Sequence, residues 1–184
     1  MEHLSKSEIN RVLEGKGDFV QIDYLTRFLK KGVSLDLKKF IYLKLAKIYE
    51  KKQMFEKAGK MFENVAIVSV TFSDKIKYYI EVAKSYVRAG DFESAGRATK
   101  KAMGEANSSE KLEVYNLVKE FYKTQARNYE QEGKRNHAVR VYEKFLRMNI
   151  SEVEKEEVKA KLIELYERLG MFKEAGLLKI SSKV

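Results

Sequence analysis

The chain has 184 residues, of which 44% are hydrophobic and 35% are charged, and its 37 Lys and Arg outnumber its 27 Asp and Glu to give a net charge of +10. This composition can fill a core, so it argues against global disorder, and the length excludes a large multidomain enzyme. The absence of cysteine and proline from the sequence excludes a disulfide scaffold, a thiolate zinc site and a proline-rich ligand segment.

Apolar residues recur at helical spacing along almost the whole chain, for example at Leu37, Ile41, Leu45 and Ile48. No sustained alternation of apolar and polar residues indicates a strand, so the sequence predicts an all-helical protein. Ser, Asp, Asn and Gly residues separate the helical segments. In chain order the predicted helices are 5–15, 18–31, 35–52, 54–68, 73–89, 91–106, 109–132, 134–148, 151–169 and 171–180.

Residues at the ends of these segments have the chemistry of helix caps. Two pairs have the spacing of a capping box, Ser5 with Glu8 and Ser151 with Glu154. Three more residues are predicted N-caps: Ser34, Ser73 and Asp91. Three glycines are predicted to end helices in the left-handed conformation: Gly90, Gly133 and Gly170.

One pattern recurs along the chain: an apolar residue, usually Ala, then Tyr three positions later, a turn residue, an aromatic residue in most copies, and Ala in the next helix. The four copies are Ala46, Tyr49, Gln53, Phe55, Ala58; Ala83, Tyr86, Gly90, Phe92, Ala95; Ala126, Tyr129, Gly133, Arg135, Ala138; and Ile163, Tyr166, Gly170, Phe172, Ala175. A degenerate first copy is Asn10, Leu13, Gly17, Phe19 and Ile22. Because one helical hairpin cannot bury both of its apolar faces, we expect successive hairpins to stack.

With small and aromatic residues at these intervals, the sequence resembles the tetratricopeptide repeat (TPR) family over roughly residues 37–180. The residues that carry the resemblance are Tyr42, Leu45, Ala46, Tyr49, Ala58, Phe62; Tyr79, Val82, Ala83, Tyr86, Ala95, Ala102; and Tyr122, Ala126, Tyr129, Ala138, Tyr142. The resemblance implies a TPR-like α-solenoid, a right-handed superhelix of about five hairpins in a single domain of residues 1–184. Its hairpins are 5–31, which is degenerate, then 35–68, 73–106, 109–148 and 151–180.

The resemblance also implies a protein-protein interaction scaffold whose concave groove, lined by the first helix of each repeat, holds a partner peptide or helix. The predicted groove residues are Phe40, Leu43, Lys44, Lys47, Lys77, Ile80, Lys84, Lys123 and Arg127, followed at the acidic C-terminal end by Glu157, Ala160, Glu164 and Glu167. An apolar and basic groove favours an acidic peptide or helix as partner. The alternative is that these are the ordinary solvated charges of a Lys-rich chain.

No cluster of residues predicts a catalytic, cofactor or metal site, so we expect a protein that is not an enzyme. His3 and His137 have no Cys or second His nearby and are expected at the surface. The Gly-Lys-Gly of residues 15–17 lacks the strand and third glycine of a nucleotide-binding turn. The densest acidic set is interspersed with lysines and is typical of a solvated helix face: Glu154, Glu156, Glu157, Glu164 and Glu167.

Two other functions stay open at this point. RNA binding would use the net charge of +10, with Tyr78, Tyr79, Phe121 and Tyr122 as candidates for stacking on bases. A structural subunit of a larger assembly would self-associate through the C-terminal end, where the last helix ends in Leu177, Leu178 and Ile180. The sequence has no signal-peptide h-region in residues 1–10 and no apolar run that spans a bilayer, so we expect no membrane insertion and a cytoplasmic protein.

Overall fold

A computed structural model describes residues 5–181, and within this range the chain forms ten helices and no strand. The helices are α1 Lys6–Leu13, α2 Asp18–Lys30, α3 Leu35–Lys51, α4 Phe55–Val68, α5 Phe72–Ala89, α6 Phe92–Glu105, α7 Ser108–Gln131, α8 Arg135–Leu146, α9 Glu152–Arg168 and α10 Phe172–Ser181. The all-helical prediction is confirmed, and each predicted helix corresponds to one observed helix. The prediction for His3 lies outside the described residues.

Side-chain caps fix where several of these helices begin. Both predicted capping boxes are present, at Ser5 and Ser151. The predicted caps at Ser34 and Asp91 are also confirmed, since each side chain accepts a hydrogen bond from the backbone three residues later. The prediction for Ser73 is wrong, because the hydroxyl of Thr71 accepts from the Asp74 amide at 3.1 Å and starts α5 at Phe72.

Left-handed residues end the first helix of three hairpins, as predicted. Gly90, Gly133 and Gly170 have φ of 76°, 71° and 74°. The equivalent turn between α3 and α4 places Gln53 at φ 56°, where a side chain crowds the following carbonyl. Gln53 is therefore a position of local backbone strain.

The chain divides into two compact units, and their boundary falls inside α7. The first unit ends at Val114 and the second begins at Tyr115. In the first unit α3 packs against α4, α4 against α5, and α5 against α6, whereas in the second unit α8 packs against α9 and α9 against α10. Helices that follow each other in the chain are therefore packed in neighbouring pairs. The single domain and the right-handed superhelix stay predictions.

Ion pairs in the first unit connect helices that lie one sequence repeat apart. Lys39 of α3 pairs with Asp74 of α5 at 2.7 Å, and Glu50 of α3 pairs with Arg88 of α5 at 2.9 Å. The first pair joins the N-terminal parts of the two helices and the second joins their C-terminal parts. Because both pairs keep the same order along the chain, α3 and α5 run side by side in the same direction.

The second unit repeats this arrangement, and in the first unit an ion pair at a similar sequence separation connects α4 with α6. Lys119 of α7 pairs with Glu154 of α9 at 3.4 Å. One turn further on, Lys123 of α7 lies 3.9 Å from Glu157 of α9. In the first unit, Lys101 of α6 pairs with Glu63 of α4 at 2.6 Å. These partners are 34 to 38 residues apart in the chain, close to the spacing of the repeated tyrosine.

The small residues of the repeat pattern are buried in both units. Ala46, Ala58, Ala83 and Ala95 of the first unit are completely buried. Gly59 of α4 lies against the ring of Tyr86 of α5, and a Cβ at that glycine would be 3.1 Å from the ring's Cε2. In the second unit the buried small residues are Ala126, Ala138 and Ala175.

The degenerate first hairpin is packed onto α3. Ile9 of α1 and Leu25 of α2 are fully buried in a cluster with Ile41 and Leu45 of α3. Burial of this apolar surface stabilises the hairpin although its repeat pattern is weak. No helix within residues 5–181 combines the length and the apolar character that a membrane crossing requires.

Candidate functional site

The second unit carries a cleft of about 430 Å³ that is lined by α7, α8 and α9. This volume is within the range of sites that hold a side chain or small ligand. The lining residues are Lys123, Arg127, Tyr142, Glu157, Val158, Ala160, Lys161 and Glu164.

Helical spacing brings the lining side chains together. Lys123 and Arg127 are four residues apart, so they share one face of α7. The α9 residues Glu157, Lys161 and Glu164 are four and three residues apart and share the facing side of α9. The cleft is therefore a contact surface of two parallel helices rather than a loop pocket.

The base of the cleft is apolar and buried. Val158 is 4% exposed and Tyr142 is 3% exposed. The Tyr142 hydroxyl donates a hydrogen bond to a carboxylate oxygen of Glu130. Burial, followed by this bond and the charge of Glu130, raises the pKa of Tyr142 well above its usual range. The phenol is thus a neutral donor, held in place as a structural group.

Cations and carboxylates alternate on the rim. Lys123 is near two carboxylates, with distances of 3.8 Å to Glu154 and 3.9 Å to Glu157. Lys161 lies 3.6 Å from Glu130 and 3.7 Å from Glu164. These distances are longer than those of tight ion pairs, so the ammonium groups keep hydrogen-bonding capacity for another acceptor.

The capping box of α9 holds one of these carboxylates. Glu154 accepts from the Ser151 amide at 3.0 Å. This backbone hydrogen bond, and those from the Ser151 and Lys119 side chains, lower the pKa of Glu154. The N-terminus of α9 is thereby fixed next to Lys119 and Lys123 of α7.

The predicted groove residues fall into two sets, one in each unit. Lys123 and Arg127 lie in the cleft of the second unit, together with the predicted Glu157, Ala160 and Glu164. The set in the first unit is Phe40, Leu43, Lys44, Lys47, Lys77, Ile80 and Lys84.

In the first unit, several predicted groove residues contact their own neighbours. Lys44 lies over the ring of Phe40 at 5.1 Å, and Lys84 pairs with Glu81 at 2.9 Å. Ile80 is 6% exposed, so it belongs to the core and offers little surface to a partner. Lys47 and Lys77 are exposed, and they are the lysines of this set most open to solvent.

A second cleft, of about 400 Å³, lies at the turn between α3 and α4 in the first unit. Its wall includes Phe55 and Arg88, and the guanidinium of Arg88 stacks over the Phe55 ring at 5.7 Å. The same guanidinium pairs with Glu50. Arg88 therefore forms a bridge from α5 to the turn of the preceding hairpin.

The structure also places His137 and the acidic residues of α9. His137 is exposed and packs beside the Tyr129 ring, with centroids 5.3 Å apart. Within residues 5–181 no three acidic or histidine side chains converge as a metal site requires. Of the acidic set expected on a solvated face, Glu156 pairs with Lys159 at 2.8 Å and its side chain is 55% exposed, whereas the Glu154 side chain is only 15% exposed.

Sequence reasoning missed three residues of the cleft, Tyr142, Val158 and Lys161. Tyr142 was identified only as part of the repeat pattern. Lys161 is one of the lysines interspersed with the acidic set of α9, and its spacing of four from Glu157 is a signal for a shared face. Val158 is an apolar residue on a charged helix, which is the signal for the buried side of that helix.

No protein-family model matches this chain, and a search of curated proteins found no match either.

Proposed function

We propose that this chain is a non-catalytic, cytoplasmic adaptor of the TPR-like class, a right-handed stack of helical hairpins that binds an acidic peptide or helix. The observation that carries the proposal is the cleft of the second unit, where three cations, Lys123, Arg127 and Lys161, outnumber the two carboxylates of Glu157 and Glu164 around an apolar base. A carboxylate of a partner would bind these cations while an apolar side chain beside it contacts Val158 and Ala160.

The repeat class is supported by ion pairs between equivalent helices. Lys39–Asp74 and Lys119–Glu154 are both separated by 35 residues, and Glu50–Arg88 by 38 residues. In a repeat protein each unit contacts its neighbour through the same positions, so contacts recur at the repeat spacing. The buried alanines of the repeat pattern follow the same rule.

RNA binding has less support from the described residues. Of the aromatics proposed to stack on bases, Tyr79 is 9% exposed and Tyr122 is 3% exposed. Burial raises the pKa of Tyr122 to about 12, as expected for a core phenol. Tyr78 lies below two lysines, Lys39 at 5.2 Å and Lys77 at 5.6 Å. A base would have to displace these lysines to stack there.

The proposal is tested with three labelled probes of equal length in a fluorescence anisotropy titration at physiological salt. The first is an amphipathic helical peptide with glutamates on one face and leucines on the other. The second carries glutamine in place of each glutamate, and the third is a single-stranded RNA. We expect the acidic peptide to bind most tightly, because only it supplies carboxylates to the cleft.

Two charge reversals locate the binding site on the protein. Arg127→Glu places a carboxylate in the cleft, and we expect it to weaken binding of the acidic peptide about tenfold or more. Arg135→Glu is the matched control, because Arg135 is exposed at the start of α8 and is not part of the cleft lining. Equal affinities of the two variants for the peptide would refute the cleft as the site.

A further inference from the structure

The first unit shows how one hairpin receives the first helix of the next. Gly59 of α4 leaves room for the ring of Tyr86 of α5. A Cβ at position 59 would lie 3.1 Å from an atom of that ring. Two residues after that tyrosine, Arg88 stacks over Phe55 at 5.7 Å and pairs with Glu50 at 2.9 Å. Glu50, Phe55 and Gly59 thus form a first receptor, which binds a Tyr-x-Arg sequence on a helix.

The last hairpin carries the same three residues at the same spacing. Glu167, Phe172 and Gly176 follow each other at the intervals of Glu50, Phe55 and Gly59. Each set lies at the end of one helix and the first turns of the next, across a left-handed residue. The local backbone that forms the first receptor is therefore repeated between α9 and α10.

At Gly176 and Phe172, the second receptor has no occupant among the described residues. A Cβ at Gly176 would meet nothing within 4 Å, whereas one at Gly59 would meet Tyr86. Phe172 is 70% exposed, while its counterpart Phe55 is half-buried. The notch and the ring that Tyr86 and Arg88 cover in the first unit are thus open in the second.

The surface around this receptor is more apolar than the equivalent surface of α4. Where α4 carries Lys60 and Glu63, α10 carries Leu177 and Ile180, which are 62% and 68% exposed. Large apolar side chains exposed side by side on a helix indicate that another helix covers them.

We propose that the outer side of α9 and α10 binds a helix of a partner protein that carries an aromatic residue followed two positions later by arginine. The aromatic ring enters the notch at Gly176, and the guanidinium stacks on Phe172 and pairs with Glu167. This partner is basic and aromatic, so the site differs in chemistry from the acidic-peptide cleft and stands independently of it.

One contact within the chain competes for this site. Lys179 pairs with Glu167 at 2.6 Å, and both side chains are about half-exposed. Exposed pairs of this kind are worth little, so an incoming guanidinium replaces the lysine at small cost. Removal of Lys179 should therefore strengthen binding, an effect that a purely structural role of the residue does not produce.

The probe is a labelled peptide of residues 72–89, the sequence of α5, which contains Tyr86 and Arg88 in the required spacing. It is titrated with the full chain, beside peptides in which Tyr86→Ala or Arg88→Ala has been made and a scrambled peptide of equal composition. We expect the native peptide to bind and each altered peptide to bind about tenfold more weakly or not at all.

Protein variants assign the peptide to the proposed site. Gly176→Leu fills the notch and should reduce peptide affinity about tenfold, while Lys179→Ala should raise it severalfold. Gly104→Leu is the matched control, because Gly104 is an exposed helical glycine with nothing within 4 Å of a Cβ. Thermal unfolding by circular dichroism verifies that every variant is folded.

Two results would overturn the proposal. One is a peptide affinity that Gly176→Leu and Gly104→Leu change equally. The other is a concentration-dependent dimer in sedimentation velocity that Gly176→Leu abolishes, because the outer side of α10 would then bind a second copy of the chain.

Discussion

Ser85 is buried in α5, with 1% of its surface exposed, and its hydroxyl oxygen makes no hydrogen bond within the described part of the chain. A buried hydroxyl without a partner loses its bonds to water and gains none in return. Ser85→Ala removes this group and adds a better helix former. We expect the variant to raise the free energy of unfolding by about 1 kcal/mol in urea denaturation.

Ser94→Ala serves as the opposite control. The Ser94 hydroxyl donates to the Asp91 carboxylate at 2.5 Å at the start of α6. Its removal should lower the free energy of unfolding. Stabilisation by both substitutions would mean that helix propensity alone, and not the unpaired hydroxyl, explains the effect at Ser85.

Gln53 carries a second prediction at this scale, because its φ of 56° is unfavourable for any residue with a side chain. Glycine adopts this conformation freely, although it loses more entropy on folding. We expect Gln53→Gly to stabilise the chain by about 0.5–1 kcal/mol.

The reverse change at an equivalent turn checks this explanation. Gly90→Ala introduces a side chain at φ 76° and should destabilise the chain by about 1 kcal/mol. Thermal unfolding of both variants and of the native chain measures whether each substitution raises or lowers the stability. A destabilised Gln53→Gly would show that the Gln53 side chain stabilises the turn by more than the backbone strain costs.

Residue chemistry explains which of these features the sequence could predict. A glycine after a helical segment predicts a left-handed residue, and Gly90, Gly133 and Gly170 follow that rule. A glutamine at the same place gives no such signal, because only the turn geometry imposes the conformation on it. Likewise Ser73 and Thr71 are both good N-caps, and the choice between them depends on where the chain leaves α4.

At the scale of the element, the start of α9 makes folding sensitive to acid. The backbone hydrogen bond from Ser151 lowers the pKa of Glu154 below its ordinary value of 4.5. A carboxyl with a lowered pKa stabilises the folded state above the unfolded pKa, and this contribution is lost as pH falls through the folded pKa. The ionised Glu154 therefore stabilises the chain at pH 7 and does so less below about pH 4.

Glu154→Gln tests this dependence, because glutamine keeps an acceptor for the cap and loses the charge. We expect the native chain to be more stable than the variant at pH 7, and the difference to shrink as the pH is lowered toward 3. Urea denaturation at several pH values measures it. A difference that does not change with pH would contradict a role for the ionised carboxylate.

The elements themselves were predictable, because apolar spacing determines which face of a helix is buried and caps determine where it ends. The cleft was predictable in part. Lys123 and Arg127 were identified from the positions of first helices in the repeat. Tyr142 and Lys161 were missed as cleft residues, because the space between α7, α8 and α9 depends on packing that no single helix encodes. Ile80 shows the converse, since its position on α5 indicated a groove and packing buries it.

At the scale of the whole molecule, the net charge of +10 acts at long range and is not confined to one site on the surface. Such a charge attracts phosphate backbones whatever the function, and the affinity falls with added salt because the release of counterions on binding then gains less free energy. A local cleft differs, since it depends on particular cations and on the apolar groups beside them. Two measurements therefore distinguish attraction by the net charge from binding in the cleft: how the affinity depends on salt, and how it depends on which cation is substituted.

The labelled single-stranded RNA and the variants Arg127→Glu and Arg135→Glu provide this test. We expect RNA affinity to fall steeply between low and physiological salt, and the two variants to weaken it about equally, because each changes the net charge by the same amount. The salt titration uses fluorescence anisotropy with the native chain as reference. If only Arg127→Glu weakens RNA binding, and the RNA stays bound at physiological salt, the cleft recognises phosphate and the protein is an RNA-binding repeat protein rather than an adaptor.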